Sequence, residues 1–284
     1  MLKLTLVRLD MTGETRASFP VRRMDYDFSD MPRYWCDNEP SQTHYFTGLS
    51  TLFPEGESFF VRSVRALRPR AKANQQLDRD IGAFIGQEAM HSKEHHAFHE
   101  SAKRYGLNPE LLENATGIIL KGVESLFPKK WNLLITAGLE HYTAVLVTSM
   151  MRGIHEQMED ETIRNLWLWH SIEETEHKAV AYDLYQYLYG NGLGAYIPRV
   201  SIFTLSVALV IVASTLYQMV LMKRDKQLFN LKSWLKFGVF AAKHYRVFIP
   251  QFLAYYRFSF HPNDTDESAL VERTRLLIGL DEKH

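Results

Sequence analysis

Two Glu-x-x-His pairs, Glu88–His91 and Glu174–His177, constrain this chain more than any other feature. Each lies in a long stretch of helix formers without proline. A spacing of three puts a carboxylate and an imidazole on one side of a helix, about a turn apart. In the run Trp169-His170-Ser171-Ile172-Glu173-Glu174-Thr175-Glu176-His177, a second histidine precedes Glu174 by four. At about 100° per residue, His170, Glu174 and His177 then fall within roughly 60° of one face. Such groups are costly to bury without partners. Helices that aim them inward do so around something that binds them, which is how helical bundles present ligands to metals.

Two more carboxylates complete the pattern. Glu140 stands in an apolar run with Leu133, Leu134, Leu139, Val145 and Leu146, where a lone charge needs a partner or a cation. Glu57 lies at the start of a helix, where it is either a dipole-favoured carboxylate or a ligand. The set is then one Glu from each of two helices and a Glu-x-x-His from each of two others. That is the ligand set of two-metal carboxylate bundles of the ferritin type, so the expected fold is all-α, a ferritin-like four-helix bundle with extra C-terminal helices. Glu173 rivals Glu174, which is preferred because it repeats the spacing of Glu88 and His91. Glu173 and His141 are read as supports around the ligands, and His95 as either a support or a further ligand. His141 points about 100° from Glu140 and is as readily a hydrogen-bond partner elsewhere. His99 reads as solvated, Arg22 and Arg23 as surface charges, and Trp167, Trp169, Tyr182, Tyr185 and Tyr189 as core.

Composition narrows the chemistry. The 284 residues are 46% hydrophobic, enough for one large domain with a sizeable core. Formal net charge is zero, so nothing argues for nucleic acid as a partner. Cys36 is the single cysteine, so a disulfide within the chain and a thiolate cluster are excluded. Any metal takes oxygen and nitrogen ligands, which suits two iron ions, with manganese or zinc as substitutes. The chain reads as cytosolic, and Met1 to Asp10 lack the apolar core of a signal peptide.

The order of elements follows from breakers. Residues 1–53, cut by Pro20, Pro32 and Pro40, read as an irregular arm. Residues 54–190 form the bundle, with helices expected near 53–67, 74–105, 108–127, 129–152 and 160–189. Residues 191–260 are apolar and amphipathic, and 261–284 are a charged tail with a short helix near 270–277. Positions 200–222 hold no charge over 23 residues, long enough to cross a bilayer. Six Ser, Thr and Gln residues among them also fit a helix buried on the bundle or in a homodimer, so lipid contact and a protein interface both stand. The aromatic, basic stretch 231–260 has the composition of helices that lie on membranes.

The motif His170-x-x-x-Glu174-x-x-His177 resembles that of the para-aminobenzoate N-oxygenase family, which implies His170 as a seventh ligand. A wider resemblance joins Arg22-Arg23, Leu52-Phe53-Pro54-Glu55-Gly56-Glu57, Ile85-Gly86-Gln87-Glu88-Ala89, Glu140-His141-Tyr142-Thr143 and Trp169 to Lys178. These runs resemble the bacterial family labelled "predicted metal-dependent hydrolase". The expected function is a di-iron oxygenase or oxidase that uses O2 and an electron donor on a small apolar, lipid-like substrate. The rivals are a metal-dependent hydrolase using water activated by the metals, and a metal-storage protein.

Overall fold

A computed structural model describes residues 16–280, except for the side chains of Tyr245 and Val247. The readings of Met1–Asp10 and of the last tail residues lie outside them. Ten α-helices order the described residues: α1 (Pro40–Ser50), α2 (Phe53–Arg65), α3 (Gln75–Ala102), α4 (Glu110–Leu126), α5 (Lys129–Arg152), α6 (Glu161–His177), α7 (Val180–Tyr189), α8 (Leu193–Arg224), α9 (Leu231–Ala254) and α10 (Ser268–Leu277). No strand occurs among them, and the fold is an all-α bundle.

Local chemistry sets the helix ends. The Asn74 side chain accepts a hydrogen bond from the Leu77 amide to open α3, and Asp160 accepts from Ile163 to open α6. Beyond α3 the chain tightens into one 3-10 turn, and Gly106 ends it at φ 75°, a conformation glycine adopts without strain. The metal-facing residues come from α2, α3, α5 and α6, with α2 packed on α3 and α5 on α6. Two apolar clusters flank the polar centre. One gathers Phe59, Phe84, Leu133, Tyr182 and Phe203, the other Trp35, Phe98, Trp167, Leu168 and Trp169.

Three elements differ from the sequence expectation. The arm is not irregular throughout: Pro40–Ser50 is a helix whose every residue is buried. Its sequence, PSQTHYFTGLS, has no apolar stripe because it is enclosed on all sides and pairs its polar groups inside. Ser41 bonds Ser233, His44 bonds Asp225, and Ser50 bonds His95 and His99. The fourth bundle helix, expected to run unbroken to Tyr189, is interrupted at 178–179 directly after His177. There the Lys178 ammonium turns inward to Glu267 (2.8 Å) and the Thr265 carbonyl (3.1 Å), a tertiary cause that no local breaker announces. Arg22 is not at the surface but 3% exposed and ion-paired.

α8 crosses α5, where Phe203 lies over Gly138, and then α1 at Gly48. A Cβ at Gly48 would stand 2.9 Å from the Gln218 backbone nitrogen, so only glycine allows this crossing. Among the described residues, two helices, α5 and α8, are long and apolar enough to cross a membrane; most of α5 is buried, whereas most of α8 is not.

Candidate metal centre

All seven residues read as ligands converge in two adjoining groups. Glu57, His91, His170 and Glu174 form one, and Glu88, Glu140 and His177 the other, with ligand atoms within 4.8 Å of one another in each. Every one is at most 2% exposed. Glu174 joins the groups. Its Oε1 lies 3.0 Å from His170 Nε2 and 3.8 Å from His91 Nδ1, and its Oε2 lies 3.7 Å from His177 Nε2. A carboxylate so placed would contact a cation held in either group.

Each histidine has its second nitrogen engaged, which leaves the first free to ligate. His91 Nε2 faces Glu173 Oε2 at 3.1 Å, and His177 Nδ1 faces Gln87 Oε1 at 2.8 Å. His170 is fixed by a longer chain. Glu113 is held as a carboxylate: burial alone would raise it, but His99 and His96 hold it low. It therefore accepts from His99 Nδ1. His99 and His95 are kept neutral by burial, so each has one donor and one acceptor nitrogen. Ser50 must donate to His99 Nε2 (2.7 Å) and accept from His95 Nδ1 (2.7 Å). His95 Nε2 then accepts from His170 Nδ1 (2.6 Å), and His170 Nε2 faces Glu174 Oε1 at 3.0 Å and Glu57 Oε1 at 3.8 Å. A carboxylate on α4 thus sets the tautomer of a ligand on α6.

The fit to cations rests on orphaned atoms. Both oxygens of Glu88, both of Glu140, Glu57 Oε1, His91 Nδ1 and His177 Nε2 are buried without a hydrogen-bond partner. His177 Nε2 stands 3.2 Å from Glu88 and 3.3 Å from Glu140, yet neither contact has hydrogen-bond geometry. So many unpaired donor atoms in one buried place are costly alone and cheap around a metal. Electrostatics agrees. Burial and neighbouring carboxylates push Glu57 and Glu88 well above the usual carboxylate range and Glu140 to about 7. Burial also acts to raise Glu174, but His177 and His170 outweigh it and hold that carboxyl well below the usual range.

The supporting residues are partly those read from sequence. Glu173 takes the Arg22 guanidinium at 3.0 Å, and burial, offset by Arg22, leaves it near 7. His95 holds His170, as described. His141 does not reach the centre. Its Nε2 meets the Gln251 carbonyl at 3.1 Å and its ring stacks on Tyr255, because its angular offset from Glu140 points it at α9. His99 is buried, not solvated. Sequence reasoning missed Thr143, which donates to Glu174 Oε2 (2.7 Å), Ser92, which donates to Glu57 Oε2 (2.8 Å), and Glu176, which pairs with Arg22. Ser92 and Thr143 sit four and three residues beyond Glu88 and Glu140, a helical spacing that was available as a signal.

A narrow cleft of about 640 Å3, counting its open mouth, leads from the surface to this centre. Phe46, Leu49, Phe53, Leu146, Trp167 and Phe248 line it, and it ends at Thr143 and His170. Only the first ligand group touches it. The second is walled by Phe84, which packs on His177 at 4.9 Å, and by Phe19.

The family described as "Predicted metal-dependent hydrolase" matches residues 20–266, most of the chain. The chain belongs to that family. Its members carry a metal-dependent enzyme's description, and the carboxylate and histidine groups supply a place for the metal. No curated protein and no solved structure matches the chain.

Proposed function

We propose that the chain is an O2-dependent oxidoreductase that holds two iron ions and acts on a small apolar substrate. The observation that supports it most is the cleft: an apolar passage that ends at one side of a paired, carboxylate-rich ligand set. Four carboxylates balance two divalent ions, and oxygen and imidazole donors without thiolate suit iron or manganese. When bound, the two ions supply the redox chemistry toward O2.

The chain's residues do the rest. Glu174 spans both positions. Gln87, Glu173 and His95 orient the three imidazoles. Thr143 places a hydroxyl beside Glu174 where the cleft ends. Phe53 lies over His170 at 5.0 Å and excludes water from the reacting side. The substrate lies along the cleft with its reacting end at His170, and a separate donor provides the electrons. The His170-x-x-x-Glu174-x-x-His177 motif, shared in pattern with para-aminobenzoate N-oxygenases, is a further support.

The test is metal content by mass spectrometry on protein purified with iron, followed by O2 uptake by the reduced protein with fatty acyl chains supplied. Two irons per chain and substrate-dependent uptake are expected. Zinc-loaded protein that cleaves esters or amides without O2 would replace this reading with hydrolysis, the reaction the family description names.

A further inference from the structure

The outer face of α8 and the start of α9 have no partner among the described residues. Along α8, Leu205, Leu209, Val212, Leu216 and Val220 are all exposed, with no charge between Arg199 and Lys223. The connection to α9 continues this surface with Phe229, Leu231 and Leu235, each more than 70% exposed. Patches of this kind mark an interaction site.

Charge decides what covers it. Residues 193–263 contain nine Lys and Arg against one acidic residue, Asp225, a surplus of eight in a chain of zero net charge. Asp225 is buried and bonded to Arg33, Tyr34 and His44. Lys223, Arg224, Lys226, Lys232, Lys243 and Arg246 are exposed and have no ion-pair partner among the described residues. Exposed apolar side chains continued by unneutralised cations at the α8–α9 corner and along α9 complement an anionic lipid surface. A second copy of this face would bring the same cations against one another, because a two-fold contact is self-complementary.

The geometry points to in-plane docking on an anionic bilayer through the exposed face of α8 and the α8–α9 corner. α8 does not span the membrane. Its buried stripe carries Arg199, bonded to the Tyr255 and Arg257 carbonyls, and Gln218, bonded to the Ser41 carbonyl, so the helix is tied to the body near both ends. Ser41 also bonds Ser233, which sets the corner's two helices side by side on α1. The docking stands on these observations and not on the metal centre. One addition does rest on the proposed function: α9 also contributes Phe240 and Phe248 to the cleft wall, so an apolar substrate enters from the lipid beside the docked face.

Vesicle flotation of the full chain tests it, with phosphatidylcholine alone and with phosphatidylcholine mixed with phosphatidylglycerol. Flotation with the mixed vesicles and not with the neutral ones is expected, and high salt should release the protein. Replacing Lys232, Lys243 and Arg246 by Glu should weaken binding at least about tenfold. Leu209→Ser with Leu216→Ser should weaken it independently, and circular dichroism should show both variants folded as the parent. Light scattering without vesicles should report a monomer. Failure to float with the anionic vesicles overturns the proposal, as does a stable dimer that the Leu209→Ser, Leu216→Ser variant dissociates.

Discussion

The two ligand groups share Glu174 and little else. The one beside the cleft holds two stacked histidines, His91 and His170, 4.1 Å apart, with hydroxyls on two of its carboxylates. The inner one holds a single histidine and two carboxylates, none of whose oxygens has a hydrogen-bond partner. The first borders the cleft, and hydrogen bonds hold its residues in place around Glu57 Oε1 and His91 Nδ1, which have no hydrogen-bond partner. The second is enclosed by Phe84 and Phe19 and depends on a cation for its pairing.

The largest effect should come from breaking what the positions share. Glu174→Ala should remove both ions and all activity, read as metal per chain, whereas Glu173→Ala should retain most metal, with about a ten- to hundredfold loss of affinity. Next, His170→Ala and Glu140→Ala should separate the positions. Each should leave about one ion per chain, and only the Glu140 variant should keep the His170 environment seen by imidazole NMR.

The pH dependence of the chelated protein sharpens the contrast further. Glu140 is raised to about 7 in the folded chain, against an ordinary carboxylate value of 4.5 when unfolded. Its contribution to stability is therefore present below the unfolded value and lost as pH rises through about 7. Thermal melts of the chelated protein should fall over that window, and metal or Glu140→Gln should flatten the fall. The smallest effect is the most selective. Glu113→Leu cuts the chain that fixes the His170 tautomer, and should lower affinity about tenfold at the cleft-side position alone, measured by metal titration.

How much of this was legible depended on whether a residue's role was local. Glu88, His91, Glu174 and His177 could be read because helical periodicity alone aims them together, and α5 matched its expected limits because Pro128 and Gly153 bound it. α1 could not be read, since a helix buried on all sides shows no stripe, and its polar side chains are satisfied by residues far along the chain. Arg22 and His99 looked solvated for the same reason: their partners, Glu173 with Glu176 and Ser50 with Glu113, lie on other elements. For His141 the helical angle from Glu140 was the better guide than its place among the possible supports, since its ring meets the Gln251 carbonyl on α9.

The burial of α1 also sets an order of events. Its covering helices, α8 and α9, are made well over a hundred residues later. Until they emerge from the ribosome, a polar helix that carries Ser50 lies uncovered at the edge of the pocket. The pocket wall therefore closes late in synthesis, by contacts of long sequence separation that form slowly. A chain cut before residue 193 would keep every ligand and lose the enclosure that gives them their purpose.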